Sequence, residues 1–113
     1  MSELTVLCVD PDESGRAAVR EAFAGEDVTV TEAGSVDAAR NALGPAVDCV
    51  VTEYTLPDGT GLDVAGAVRE MRPDLPVVLF TNESPDRIRT DDREGVVVEY
   101  LPRDLPSAGE SLA

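Results

Sequence analysis

Apolar residues gather along the chain in short runs of strand length, at residues 4–9 (LTVLCV), 28–30 (VTV), 47–52 (VDCVVT), 75–81 (LPVVLFT) and 96–101 (VVVEYL). The runs are rich in β-branched residues and mostly flanked by turn formers, so they predict five strands. The third and fourth are nearly continuous in hydrophobicity, as strands buried on both faces should be. Between the runs, apolar residues return every three or four positions. Residues 14–24 place Ala17, Ala18, Ala22 and Phe23 on one stripe, with Arg16, Arg20 and Glu21 left to cover the solvent side. Ser35 caps a second helix that carries Val36, Ala39 and Leu43 and ends at Gly44-Pro45. A third, over residues 61–71, carries Leu62, Ala65, Val68 and Met71 and stops at Arg72-Pro73. Asp58-Gly59 is a turn just before it, where an Asp also suits the helix's positive end. Strands and helices alternating with crossovers this short predict an α/β fold, a three-layer doubly wound parallel five-stranded sheet with helices on both faces.

The pattern weakens towards the carboxyl end. In residues 86–94 (DRIRTDDRE) only Ile88 is apolar, which predicts a short or distorted fourth helix, with Asp91-Asp92 on a solvated face. Ser107 and Glu110 have capping-box spacing, yet the chain given stops soon after, so the fifth helix is expected to be truncated at its first turn. The division expected is a domain over residues 1–105, with residues 106–113 the start of that helix or a linker. A sheet missing its last helix would leave apolar surface bare, which suggests a piece of a longer protein, or else a tail that packs on a partner, with the first favoured.

Composition narrows the functional classes. The 113 residues suit one compact domain. Acidic residues number 23 against 9 cations, a net charge of −14, and every cation is Arg, with no Lys and no His. Without His there is no Ser/His/Asp triad, no His-ligated zinc and no imidazole acid or base. Such a surface repels phosphate backbones and anionic headgroups, so direct binding to nucleic acid or membrane is not expected. The preference for Arg over Lys under this much negative charge fits a salt-rich cytoplasm such as a haloarchaeon's, where screening relieves self-repulsion. Cys8 and Cys49 sit inside apolar runs and read as core thiols in a reducing compartment. No run reaches the ~18 apolar residues of a membrane span, and the acidic start Met1-Ser2-Glu3 is unlike a signal peptide, so a cytoplasmic location is expected.

Open parallel sheets bind ligands beyond the carboxyl ends of their strands. Those ends carry Asp10, Asp12 and Glu13 after the first strand, Glu53 after the third, Thr81 after the fourth and Arg103 after the fifth. A strand end is polar in part because it reaches water, but carboxylates from adjacent strands, a hydroxyl and a cation on one edge form a candidate site, with an acidic pocket of Asp10, Asp12 and Glu53.

Those residues resemble the receiver domain of two-component response regulators over nearly the whole chain. The resemblance is carried by Val9-Asp10-Pro11-Asp12 with Arg16 downstream, by the run VTEYTLPDGTGL over residues 51–62, by Phe80-Thr81 and by Glu99-Tyr100-Leu101-Pro102-Arg103. It implies the flavodoxin-like strand order 2-1-3-4-5. It also implies an acidic pair after the first strand for Mg²⁺, a phospho-accepting Asp after the third, a switch pair matched by Thr81 and Tyr100, and a Lys after the fifth. Three positions depart from the family. Glu53 stands at the phosphoacceptor, Pro11 at the second metal-binding acid and Arg103 at the Lys. The extra methylene carries the Glu53 carboxylate roughly 1.5 Å further into the space a phosphoryl group would fill. In-line transfer tolerates little misplacement, so an acyl phosphate on Glu53 should form very poorly. Mg²⁺ needs near-octahedral oxygen ligands and Pro11 supplies none, so a metal site on Asp10 and Glu53 is expected to be weak or lost.

Arg103 either pairs in two-pronged fashion with Glu53, mimicking a phosphorylated arrangement, or is a surface arginine with no fixed partner. The reading favoured by these departures is a non-enzymatic signalling module, without catalytic residues or resident cofactor, that acts through contacts with other proteins, domains of the same longer chain or a histidine kinase. A second keeps Mg²⁺-dependent phosphorylation by a histidine kinase on another acid, Asp10 or Asp12. A third takes Asp10-Pro11-Asp12 as the Asp pair of a haloacid-dehalogenase-type aspartyl phosphatase, although the chain lacks that class's cap and length. Oligomeric state and output are not written in this stretch of sequence.

Overall fold

A computed structural model describes residues 3–84, 88 and 99–102. Its elements run β1 (Leu4–Val9), α1 (Glu13–Ala22), β2 (Val28–Ala33), α2 (Val36–Ala42), β3 (Cys49–Thr52), β4 (Thr55–Leu56), β5 (Gly59–Thr60), α3 (Gly61–Met71), β6 (Val77–Thr81) and β7 (Glu99–Pro102). Five strands form one parallel sheet in the order β2-β1-β3-β6-β7. With the small antiparallel pair β4–β5 set aside, this is the doubly wound order expected from the sequence.

Residues of the central strands alternate between two apolar layers. Leu7, Val9, Val50 and Val77 face a cluster with Val36 and Ala39 of α2 and Val64, Ala65 and Val68 of α3. Val6, Cys8, Val51 and Phe80 face the opposite way, with Val19, Ala18 and Phe23 from α1 and its end. A smaller third cluster joins Tyr54, Leu62 and Leu79, with Ile88 and Tyr100 against it. The central strands are thus apolar on both sides, as their continuous runs required.

The bounds differ from the sequence expectation for local reasons. β2 runs on to Ala33, because β1 pairs with it along its whole length and the polar Thr29, Thr31 and Glu32 are tolerated on an edge strand. β3 starts at Cys49, since Asp48 meets Thr5 through its carboxylate, which accepts the Thr5 N–H at 2.8 Å. β6 starts after Pro76, whose carbonyl accepts from Val50 N–H. In α1 the buried side chain is Val19, while the expected stripe residues Ala17, Ala18, Ala22 and Phe23 are only half-buried. Met71, expected on the inner stripe of α3, is 47% exposed. Cys8 is fully buried and Cys49 partly so; burial and the neighbouring Asp48 charge push the Cys49 thiol pKa up, which keeps it protonated and inert. Apart from Ile88, which is helical, the expected fourth helix lies outside the described residues, as do Asp91-Asp92, Arg103 and residues 106–113. Among the described residues no helix is long and apolar enough to cross a membrane.

Candidate functional site

The register brings the acidic positions to one edge. Val9 and Thr52 are partners across β1 and β3, so Asp10 and Glu53 leave adjacent strands side by side. Main-chain bonds continue past the strand ends, with Glu53 N–H donating to the Val9 carbonyl at 2.8 Å and Asp10 N–H to that of Ala33 at 2.9 Å. Thr81 ends β6, the strand next to β3, and Tyr100 lies in β7 beyond it. The edge therefore collects Asp10, Glu53 and Thr81; Asp12 is exposed at the N-cap of α1, and Pro11 is exposed too.

Each carboxylate is engaged by main chain nearby. Asp10 is 2% exposed, and its Oδ1 accepts the Asp12 N–H at 2.9 Å in a tight Asx turn over Pro11. Glu53 is half-buried, and its longer side chain curls back so that Oε2 accepts the N–H of Tyr54. Pro11 has no side-chain oxygen, and among the described residues no group of three or more His, Cys, Asp or Glu is placed to hold a metal ion. Of the positions that the resemblance assigns to Mg²⁺, Asp10 and Glu53 carry carboxylate oxygens and Pro11 carries none.

Sequence reasoning assigned Arg16 to the solvent, and the structure corrects this. Its Nη1 donates to the carbonyl of Asp10 at 2.7 Å, and the same guanidinium pairs with Glu13 at 3.4 Å and Glu32 at 3.2 Å. Arg20 closes the ring, pairing with Glu13 and, at 2.5 Å, with Glu32. The hydrogen bond from Arg20, then the charges of Arg20 and Arg16, hold the Glu13 carboxyl below the usual carboxylate range. The Glu13–Arg16 spacing was visible along the helix; Glu32 was not, because it arrives from β2 only once the sheet forms.

The loop after Glu53 is built differently. Gly61 N–H donates to the Tyr54 carbonyl at 2.7 Å and closes the loop at its base. Position 61 must be glycine: a Cβ there would lie 2.5 Å from Leu79 Cδ1 and 2.7 Å from the Glu53 carbonyl oxygen. Thr60 and Asp63 form the capping box of α3. Asp58 does not serve α3 as expected. It reaches across to α2, where Oδ1 accepts Val36 N–H at 2.8 Å and Oδ2 accepts Asp37 N–H at 3.0 Å.

At the fourth strand end Thr81 is buried, and its Oγ1 accepts the N–H of Glu83 at 3.0 Å. The carbonyl of the same Glu83 accepts from the Tyr100 hydroxyl at 3.0 Å. Thr81 and Tyr100, matched in the sequence as a switch pair, are thus joined through one residue of the β6 loop. Tyr54, given no role from sequence, is 2% exposed and packs in the cluster that Tyr100 lies against.

A doubly wound sheet with two acids, a hydroxyl and a tyrosine at its carboxyl edge has the architecture that the resemblance implied. The response regulator receiver domain profile matches residues 6–105. The chain is 30% identical over 105 residues to the DNA-binding transcriptional regulator NtrC of Azospirillum brasilense, covering 91% of this chain and 22% of that protein. It is 31% identical over 104 residues to the two-component response regulator ORR6 of Oryza sativa subsp. japonica, covering 83% of this chain and 59% of that one. Among solved structures, the non-phosphorylated HemR receiver domain from Leptospira biflexa superposes with a TM-score of 0.73 at 28% identity, covering 90% of this chain and 83% of that one. The BeF3-activated DrrB receiver domain does so at 0.82 and 23% identity, covering 98% and 92%. The chain belongs to the response regulator receiver domain family. It spans about a fifth of the NtrC proteins it matches. Receiver domains are signalling modules that interact with histidine kinases and with other domains of response regulators.

Proposed function

We propose that this receiver domain works as a protein-interaction switch independent of phosphorylation at Glu53. The observation that carries the reading is the Glu53 carboxylate turned back onto the Tyr54 N–H, on a side chain too long for the phosphoacceptor position. An in-line attack on phosphorus would have to break that bond and shorten the reach, a misplacement that costs transfer steeply. Pro11 and the Asx turn of Asp10 favour weak or absent Mg²⁺ binding on Asp10 and Glu53, with Asp12 too far along the turn to replace the missing acid. The Thr81–Glu83–Tyr100 connection supports a switch region held in one arrangement, and Arg103 is proposed as the cation that answers Glu53. Partners are then other signalling proteins, further domains of a longer chain or a histidine kinase bound without transfer, in a cytoplasm rich in salt; direct contact with nucleic acid or membrane is disfavoured by the charge of −14.

The test is a set of ¹⁵N spectra with Mg²⁺ alone, then with Mg²⁺ and beryllofluoride. Unmoved signals for Asp10, Glu53, Thr81 and Tyr100 are expected. Shifts at these four that need both Mg²⁺ and beryllofluoride would restore the conventional phosphorylated receiver, with Asp10 or Asp12 as the acceptor to examine.

A further inference from the structure

Helix α2 has only seven residues, too few to persist without help from its ends and its packing. All three leading N–H groups have side-chain acceptors. Its own N-cap, Ser35, takes the third, with Oγ accepting Ala38 N–H at 3.0 Å. The first two belong to Asp58, whose two carboxylate oxygens take Val36 and Asp37. Asp58 sits 22 residues from Val36 in the chain, at the tip of the loop that starts with Glu53. The tip is in contact elsewhere too: a Cβ at Gly59 would lie 3.1 Å from Cγ2 of Val36, and Leu56 shares the apolar cluster of Val36 and Ala39. At its base the same loop is locked by the Gly61–Tyr54 bond and by the fit of Gly61 against the Glu53 carbonyl.

A segment closed at one end beside Glu53 and clamped at the other onto a helix start behaves as one piece. We propose that Asp58 is a positioning residue that couples the Glu53 loop to the first turn of α2, so that the α2 end of the domain reports the state of the acidic pocket. Any event that displaces the loop at Glu53 uncaps two N–H groups of a marginal helix, and any partner that orders α2 steadies Glu53 and Tyr54 in return. The coupling does not depend on whether Glu53 takes a phosphoryl group, since it runs through main-chain donors and a carboxylate outside the pocket.

The test compares Asp58→Ala and Ser35→Ala in the whole chain, by amide hydrogen exchange along α2 and by ¹⁵N shifts of Glu53 and Tyr54. Both substitutions remove a cap from the same helix, but only one touches the loop. Asp58→Ala is expected to speed exchange at Val36 and Asp37 by about 3- to 30-fold and to move the Glu53 and Tyr54 signals. Ser35→Ala is expected to speed exchange at Ala38 and, acting on the loop only through the intact Asp58 contact, to move Glu53 and Tyr54 less than Asp58→Ala does. Asp58→Asn, which keeps one carbonyl acceptor, provides the milder version should the alanine variant unfold, with a smaller change at the same four residues. Unchanged exchange at Val36 and Asp37 without the Asp58 carboxylate would overturn the proposal. So would faster exchange there with Glu53 and Tyr54 unmoved, since Asp58 would then be a cap and nothing more.

Discussion

The two acidic strand ends of this domain are braced by different physics. The turn after β1, which carries Asp10, is tied down by charge: Arg16 holds the Asp10 carbonyl while it and Arg20 share Glu13 and Glu32. The loop after β3, which carries Glu53, is tied down by fit and main-chain hydrogen bonds, through Gly61 at its base and Asp58 at its tip. The first brace lies at the surface, where salt screens it. The second rests on the packing of Gly61 and on hydrogen bonds to main-chain groups, which salt weakens less than it does a network of ion pairs, although Asp58 is itself exposed. In a chain of net charge −14 the second kind is expected to hold its geometry better across ionic conditions, and it is the one that carries Glu53.

The largest effect expected on this contrast is from Gly61→Ala. The new methyl group meets Leu79 and the Glu53 carbonyl, so the loop base must open, at about 1–3 kcal/mol of stability and a thermal midpoint lower by roughly 5–20 °C. A midpoint within a degree of the wild type would mean that the loop is not built on that contact. Arg16→Met should come next. It loses the bond to the Asp10 carbonyl, worth about 1 kcal/mol, together with a salt-sensitive share from Glu13 and Glu32. Urea midpoints in dilute and in molar KCl check this: the gap to wild type should narrow with salt more for Arg16→Met than for Asp58→Asn. A gap that behaved alike for both would erase the distinction.

The smallest effect is that of acid. Glu13 is held below its ordinary pKa chiefly by the hydrogen bond from Arg20, and Asp58 below its own by the N–H groups of Asp37 and Val36, against the nearby charge of Asp63. For a lowered carboxylate the stabilisation is complete above its unfolded pKa, about 4 to 4.5, and is lost as pH falls through the folded value. Both braces should therefore loosen below about pH 4. Molar salt should raise the pH at which Glu13 titrates by more than it moves Asp58, a difference readable from carboxyl ¹³C shifts. Asp63, whose charge acts on Asp58, must be followed in the same titration.

What could be read in the sequence follows the same division. Local periodicity and turn chemistry placed the strands, α2 and α3, because the central strands are apolar on both faces and the Ser35 cap lies beside the helix it serves; the capping box of Thr60 and Asp63 at α3 was missed, although both residues are local to that helix. The strand ends then located Asp10, Glu53 and Thr81 on one edge, since a parallel sheet leaves its carboxyl ends no other place to go. Residues whose partners arrive from distant elements stayed hidden. Arg16 finds Glu32 only across β2, Asp58 finds α2 rather than α3, and Tyr54 looked like a loop residue until Leu62 and Leu79 enclosed it. β2 was cut short because its outer half has the polarity of an edge strand.

In the proposed reading the Glu53 pocket takes no phosphoryl group, and Glu53 and Pro11 are the reason. Its most direct test is intact-mass and peptide spectrometry of the wild type and of the Glu53→Asp, Pro11→Asp double variant after incubation with acetyl phosphate and Mg²⁺. The wild type is expected to stay unmodified and the double variant to gain one phosphoryl group at position 53, lost when Mg²⁺ is chelated. A wild-type chain phosphorylated on Glu53, Asp10 or Asp12 in the presence of Mg²⁺ would contradict it.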